Sequence, residues 1–160
     1  KLILVNARHV KNVPGRKTDV MDCQWLAGLL AHGLVRGSFV PSESQRDLRD
    51  LTRQRAQLIG QRSRVVNRVQ KVLEDAGIKL GSVASDVMGQ SGRAMIEALV
   101  ADNQTPEQMA DLAKRALRRK IPELQAALTG HVRDHHRFML RQHLVEIDHL
   151  DGQIAGYDQR

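Results

Sequence analysis

The chain has 160 residues, with 25 lysines and arginines against 18 aspartates and glutamates, so its formal net charge is +7. Its single cysteine excludes an internal disulfide and fits a reducing cytosol, and neither a signal peptide nor a membrane-spanning apolar run is predicted. Aromatic residues make up only 2% of the chain, which favours long helices over a sheet-rich core, and the basic balance favours a polyanionic partner.

The first ten residues, KLILVNARHV, open with a short continuous apolar run. Such a run is consistent with a buried strand whose neighbours lie outside this sequence. Because an isolated strand exposes an unpaired edge, we expect it to be disordered, paired with another copy or covered by a partner. Pro14 and Gly15 then predict a turn before the first helix.

The next stretch, GRKTDVMDCQWLAGLLAHGLV, places Asp19 and Asp22 three residues apart at the start of an apolar-periodic run. This spacing puts both carboxylates on one face of the first helical turn, where they could supply half of a Mg²⁺ site. The alternative is that Asp19 caps the helix and Asp22 completes a box-like N-terminus. Spacing alone leaves both interpretations open.

This helix is predicted to run to about His32, with Gly33 as its stop signal. Its predicted buried face consists of Val20, Cys23, Leu26, Ala27 and Leu30. Three basic residues flank the acidic pair and are either phosphate contacts or ordinary solvated loop charges. They are Lys11, Arg16 and Lys17.

The longest predicted helix runs from about Ser44 to Ala76, with Pro41 and Ser42 as start signals and Gly77 as its end. Its apolar positions advance by threes and fours, which is the spacing of a coiled-coil seam. They are Leu48, Leu51, Leu58, Val65, Val69, Val72 and Ala76.

Between Leu51 and Leu73 the same helix carries basic residues and no acidic one. An exposed helical face normally mixes both signs, so this run predicts nucleic-acid contact. The candidates are Arg53, Arg55, Arg62, Arg64, Arg68 and Lys71. Because Arg55 and Arg62 occupy seam positions, we expect either a partner carboxylate or a local opening of the packing there.

Residues 78–92 are rich in glycine and serine without phosphate-loop spacing, which favours a plain connector. A short helix is predicted from Arg93 to about Ala101, and Thr105 with Pro106 starts another that runs to about Lys120. A basic cluster at its end exceeds what a helix C-terminus requires, so backbone contact with RNA or DNA is a second use. The cluster consists of Lys114, Arg115, Arg118, Arg119 and Lys120.

A short helix stopped by Gly130 and a long one from about Val132 complete the chain. The long helix again has three-four spacing, so we expect it to pack antiparallel on the Ser44 to Ala76 helix or to pair between subunits. His131 and His135 share a helical face, but without a cysteine or an HExxH motif a zinc site is the minor interpretation.

The run NARHVKNVPGRKTDVMDCQWLAGLLAHGLVRGSFVP resembles the end of the catalytic domain in the DEDD transposases of bacterial insertion sequences, which include bridge-RNA-guided recombinases. The family's pattern of lysine, threonine or asparagine, aspartate, two variable residues and aspartate falls on Lys17, Thr18, Asp19 and Asp22. Cys23 replaces the usual alanine, a small-for-small change that leaves the aspartates untouched.

The resemblance implies that Asp19 and Asp22 are the last two of four acidic Mg²⁺ ligands in an RNase H-like fold. Residues 1–18 contain no acidic residue, so the family's first aspartate and its glutamate are absent there. Its serine nucleophile belongs to a separate C-terminal domain. We therefore expect an internal segment of a longer transposase that lacks a complete active site by itself.

The expected fold is mainly α, with the C-terminal piece of an RNase H-like α/β domain at 1–40 and a long helical hairpin or coiled-coil region at 41–160. The expected function is metal-dependent cleavage and rejoining of mobile-element DNA in the bacterial cytoplasm, associated with the nucleoid. DNA, a guide RNA and further copies in a dimer or tetramer are the expected partners, without a membrane. The alternatives are a non-catalytic helical module for nucleic-acid binding or oligomerisation, and a coiled-coil dimer without nucleic acid.

Overall fold

The computed structural model describes residues 3–11 and 22–160, which are mainly helical. The helices are α1 (Ala7–Lys11), α2 (Asp22–Ala31), α3 (Glu43–Asp75), α4 (Leu80–Val83), α5 (Gln90–Ala101), α6 (Pro106–Ala110), α7 (Ile121–Leu128) and α8 (Asp134–Asp158). A 3₁₀ helix, Arg115–Lys120, precedes α7. Within the described ranges the only extended pairing is an isolated antiparallel bridge between Val5 and Gly37. The expectation of a mainly α chain is confirmed.

The chain divides into two compact units, Lys1–Arg49 and Asp50–Arg160. The division falls inside α3, whereas the sequence placed a domain boundary near residue 40. In the part of the chain that the structure describes, no helix combines the length and apolarity that a bilayer crossing requires.

In the first unit, the predicted N-terminal strand is wrong for residues 7–10, which belong to the helix α1. The Asn6 Oδ1 atom accepts a hydrogen bond from the Arg8 N–H at 2.9 Å, as an N-cap residue does. Ile3 and Leu4 before it are exposed, and Val5 is half-buried. The run pairs only locally, through the Val5–Gly37 bridge and a hydrogen bond from Ser38 N to Leu4 O at 2.7 Å, as far as the described residues show.

The helix α2 ends one residue before the predicted His32, and Gly33 terminates it as expected. Gly33 has φ +68°, and its N–H donates to the Leu30 carbonyl at 3.1 Å. The Leu34 N–H then donates to the Leu29 carbonyl at 2.9 Å, which completes a Schellman motif. The stop signal in the sequence is confirmed.

The predicted buried face of α2 is wrong. Leu29 is the buried residue of this helix, at 7% exposure. The residues expected inside that the structure describes are exposed: Cys23, Leu26, Ala27 and Leu30. Val20 lies outside the described residues. The described part of this unit provides little surface for α2 to pack against, so apolar periodicity alone did not identify the buried side.

The helix α3 spans 33 residues, and its ends lie within one residue of the predicted ones. At its start, Ser42 and Gln45 form a reciprocal cap: the Ser42 N–H donates to Gln45 Oε1 at 3.3 Å, and the Gln45 N–H donates to Ser42 Oγ at 3.4 Å. At its end, the Ile78 N–H donates to the Leu73 carbonyl at 2.8 Å around Gly77. Strong local signals therefore set both ends.

The helices α3 and α8 run antiparallel. Three side-chain pairs join them, and the residue number rises along α3 as it falls along α8, which confirms the predicted hairpin arrangement. The pairs are Arg55 with Asp158, Arg62 with Asp151, and Asp75 with His136. Two backbone hydrogen bonds of 2.8 Å, from His131 N to Ala76 O and from Lys79 N to Ala127 O, join the residues that follow α3 to the end of α7 and the loop after it.

One hydrophobic core lies between α3, α8 and the shorter helices. Most predicted seam residues belong to it, but Leu48 and Leu51 are exposed at 62% and 37%. Leu51 lies beyond the point where α8 ends, since Asp158 pairs with Arg55. The buried residues on the two long helices are Leu58, Val65, Val69, Val72, Leu73, Leu140, Leu144, Ile147 and Leu150.

The predicted helix from Pro106 to Lys120 is wrong beyond its start. The capping box of Thr105 and Gln108 is present, but α6 ends at Ala110 and the 3₁₀ helix follows a turn. Met109, Ala110 and Ala113 are at most 3% exposed, so the chain changes direction here to bury them. Tertiary packing therefore breaks the helix after Ala110, although the local sequence favours a continuous one.

Candidate nucleic-acid interface and acidic motif

The acidic motif lies at the edge of the described residues. Asp22 is the first residue of α2, where the helix dipole favours a negative charge. Its side chain, like that of Lys11 at the end of α1, is outside the description. Asp19, Arg16 and Lys17 fall in the range that the structure does not describe. The metal-ligand and capping interpretations of the two aspartates both stay predictions.

The six basic residues of the α3 run separate into two groups. Arg55 donates from Nε to Asp158 Oδ1 at 2.5 Å, and Arg62 donates from both Nε and Nη2 to the carboxylate of Asp151, the second contact at 3.2 Å. These hydrogen bonds are the main cause of the raised pKa of both guanidinium groups. The partner carboxylates expected for these seam arginines are thus present in the same chain.

The other four residues form the second group, which we call the basic stripe: Arg53, Arg64, Arg68 and Lys71. All four are exposed, and none of them makes an ion pair among the described residues. At 3.6 residues per turn, their positions fall within about 60° of one another around the helix axis. Arg55 and Arg62 lie on the opposite side, towards α8. The basic stripe is therefore a continuous band of one sign of charge, open to a polyanion.

The second basic cluster lies on the 3₁₀ helix Arg115–Lys120, and Lys114 directly precedes that helix. All five of its basic residues, Lys114, Arg115, Arg118, Arg119 and Lys120, are exposed. Because α6 ends at Ala110, these residues do not neutralise the C-terminus of a long helix, as the sequence had suggested. The only side-chain hydrogen bond in the cluster that the structure describes runs from Lys120 Nζ to the Val83 carbonyl, at 3.3 Å.

The cluster also lines a cavity of about 460 Å³ that sequence reasoning missed. Its other wall is the segment around Ser91 and Gly92, which the sequence suggested to be a plain connector. Ser91 Oγ accepts a hydrogen bond from the Lys114 N–H at 3.0 Å and so joins the two walls. No motif in the sequence announces this arrangement, since it depends on contacts between segments 23 residues apart.

The histidine cluster at the start of α8 joins this helix to the end of α3. Asp75, His135 and His136 place one possible ligand atom each within 4.8 Å of one another, without His131. The Arg133 N–H donates to His136 Nδ1 at 3.1 Å, so His136 Nε2 carries the hydrogen that it shares with Asp75 Oδ2 at 2.9 Å. Both ring nitrogens of His136 are therefore engaged in hydrogen bonds within the chain.

Comparison with known protein families finds a match over the first part of the chain. The family model of the DEDD transposases of IS110 type, described as a transposase, matches residues 1–78. This matched part, just under half of the chain, is a segment of a DEDD transposase. No curated protein and no solved structure matches the chain. The match supports a transposase of a mobile element, and transposases process and bind DNA.

The match places the acidic motif and the basic stripe of the transposase in one family segment. It includes Asp19 and Asp22 and extends through the end of α3, whereas the 3₁₀ helix, α5 and α8 lie outside it. DEDD transposases generally use a divalent metal. The carboxylate-rich motif and the cationic helix that follows it are the parts of the chain that suit such chemistry.

Proposed function

We propose that this transposase carries out metal-dependent cleavage and rejoining of the DNA strands of an insertion element. Asp19 and Asp22 then act as the last two acidic ligands of an RNase H-like catalytic site. The family pattern of these two aspartates within the matched residues 1–78 supports the assignment. The family's other two acidic ligands and its serine nucleophile are not assigned to residues of this chain.

The donor chemistry of the motif suits Mg²⁺, which prefers oxygen ligands from one or two carboxylates together with substrate phosphates. Bound divalent cations would neutralise the scissile phosphate and activate the attacking group. Asp22 stands at the first position of α2, where the helix dipole favours a negative charge. The residues Lys11, Arg16 and Lys17 are proposed to hold the strand beside the acidic pair.

The observation that carries the proposal is the basic stripe. Four cations on one exposed face, without intramolecular carboxylate partners, are what backbone contact to nucleic acid requires. We propose that this face holds the phosphate backbone of the DNA or of a guide RNA, whose A-form helix is bound largely through shape and backbone. A dimer or tetramer acting on nucleoid DNA in the cytoplasm completes the proposal.

The experiment replaces each aspartate in the complete transposase and measures cleavage of the element's end DNA. Asp19→Asn and Asp22→Asn are expected to abolish cleavage in Mg²⁺ while leaving nucleic-acid affinity unchanged, because they remove ligands without touching the basic stripe. Glu123→Gln is the matched control, since Glu123 is an acidic residue in the first turn of another helix, α7. This variant is expected to cleave normally.

The opposite result supports the non-catalytic module. If both aspartates are caps, the variants retain cleavage and lose only about 1 kcal/mol of unfolding free energy. In that case the basic stripe alone accounts for the function, and the chain is a helical nucleic-acid-binding or oligomerisation part of the transposase.

A further inference from the structure

The cavity beside the 3₁₀ helix is a second concave feature with a concentrated positive charge. Lys114, Arg115 and Lys120 line it from one side, and Asp86 is the only acidic residue in its wall. The Asp86 carboxylate is partly engaged, because its Oδ1 accepts the Met88 N–H at 3.0 Å. Three cations against one anion leave the cavity with a net positive lining.

These cations are available to a ligand. Among the described residues, none of the three makes an ion pair, and the single contact of the Lys120 ammonium to the Val83 carbonyl leaves it two further donors. The Arg115 backbone adopts φ +53°, in the left-handed region that arginine rarely occupies. Such strain is retained only where the surrounding structure holds it, so the position of Arg115 is fixed by the fold.

The opposite wall of the cavity includes Gly92, where the backbone packs too closely against Val87 for a side chain. A Cβ atom at Gly92 would lie 2.3 Å from the Val87 carbonyl oxygen, so only glycine fits there. The wall is fixed to the cationic side through the hydrogen bond from Lys114 N to Ser91 Oγ. The cavity is therefore a product of tertiary structure, and its two sides are kept at a set separation.

One part of the lining is apolar, formed by Val83, Ala84 and Leu117. Ser85, Gln90 and Ser91 add polar groups, the last two from the first turn of α5. A volume of about 460 Å³ exceeds what a bare inorganic ion fills, and an apolar wall next to fixed cations is the usual composition of a site for a small organic anion. Arginine and lysine together favour a phosphate, which accepts several charge-assisted hydrogen bonds at once.

We propose that this cavity binds a single nucleotide of a nucleic-acid strand, with its phosphate against Lys114, Arg115 and Lys120 and its sugar and base against the apolar wall. The inference rests on the proposed function, because the strand is the DNA or guide RNA that the transposase handles. It adds a discrete site, distant in sequence from the basic stripe and outside the family match. The phosphate chemistry is common to DNA and RNA, so experiment must distinguish the source.

The decisive comparison uses two double variants of the full chain that remove equal charge. Lys114→Gln with Arg115→Gln alters the cavity, whereas Arg141→Gln with Arg160→Gln alters exposed residues that do not line it. Affinity is measured for single-stranded RNA and DNA of the same sequence. The cavity variant is expected to bind about tenfold more weakly than the wild type, and the control to bind within about threefold of it.

A second measurement locates binding without any variant. Titration of the ¹⁵N-labelled chain with a nucleoside monophosphate is expected to shift the amide signals of Ser91, Gly92 and Arg115 in a saturable manner. Inorganic phosphate at the same ionic strength is expected to shift them more weakly. Shifts spread equally over the basic stripe would overturn the cavity as a site. Thermal unfolding of both double variants verifies that they remain folded.

The outcomes separate this inference from the proposed function. If the wild type binds neither RNA nor DNA, the nucleic-acid function itself fails. If it binds and both double variants lose the same affinity, the cavity proposal fails while the proposed function stands. A loss confined to RNA assigns the cavity to a guide RNA, and an equal loss for both strands assigns it to the shared backbone phosphate.

Discussion

The two sides of α3 carry arginines of identical chemistry in different surroundings. On the side towards α8, Arg55 and Arg62 are bound to the carboxylates of Asp158 and Asp151. On the far side, the residues of the basic stripe are exposed and make no ion pair among the described residues. A phosphate that approached Arg62 would have to displace a carboxylate held by two hydrogen bonds, whereas the stripe presents no such competitor.

This difference shows that a run of one sign of charge is not one functional surface. The acidic residues that neutralise part of it come from α8, which lies about 90 residues further along the chain. Arginine on the inner side contributes to joining the two helices, and arginine on the outer side remains for a polyanion. We therefore expect substitutions on the two sides to affect different measurements: affinity on one and stability on the other.

The largest effect is expected on the outer side. Replacing the whole basic stripe by glutamine, as Arg53→Gln, Arg64→Gln, Arg68→Gln and Lys71→Gln together, should weaken nucleic-acid binding about a hundredfold at moderate salt. Each lost phosphate contact also lowers the slope of log affinity against log salt by about 0.7 to 0.9, so the total slope should fall by roughly three. Binding titrations over a salt series measure both quantities.

The control for this variant is its stability. Because the four side chains are exposed and make no ion pair among the described residues, the midpoint of thermal unfolding should stay nearly constant. Wild-type affinity that persists in the quadruple variant would exclude the stripe as the interface. Negligible affinity of the wild type at moderate salt would instead support a coiled-coil dimer that does not bind nucleic acid.

A smaller effect of a different kind is expected on the inner side. Arg62→Gln should lower the free energy of unfolding by about 1 kcal/mol, since a partly buried two-point arginine pair lies at the upper end for ion pairs near the surface. Its affinity for nucleic acid should change less than that of Arg64→Gln, which removes the same charge from the stripe on the same helix. Urea denaturation and binding titrations of the two single variants provide the comparison, and equal affinity losses would contradict it.

The sequence predicted the helices where the determining signals are local. Ser42 with Gln45, Thr105 with Gln108, and Gly77 each start or end a helix through contacts within a few residues, and each does so in the structure. The break after Ala110 could not be predicted in this way, because it follows from burial of Ala113 by residues distant in sequence.

The functional residues were less predictable from the sequence than the helix ends. The acidic pair was predicted as a metal site through family resemblance, because its spacing alone favours helix capping. The division of the α3 cations was only half predictable: Arg55 and Arg62 occupied seam positions, but their partners depend on the register of α8. The cavity depends on Ser91 meeting Lys114, a contact between segments without a motif of their own.

The smallest expected effect concerns the third pair between the long helices, at the end where α3 finishes. His136 is 1% exposed and donates to the largely exposed Asp75 carboxylate, and this hydrogen bond is the main cause that lowers the pKa of Asp75 below its usual 3.8. The positive neighbours Arg133 and His135 act in the same direction.

A lowered carboxyl pKa means that the folded state binds a proton less readily than the unfolded state. The pair therefore contributes its full stability above about pH 4, and the contribution is lost as the pH falls through the lowered value. Asp75→Asn retains a hydrogen-bond acceptor without the charge, so the difference in unfolding free energy between wild type and variant should be constant near neutral pH and shrink below pH 4. Urea denaturation at a series of pH values measures it. A difference that persists unchanged into strong acid would show that the Asp75 charge contributes nothing to this contact.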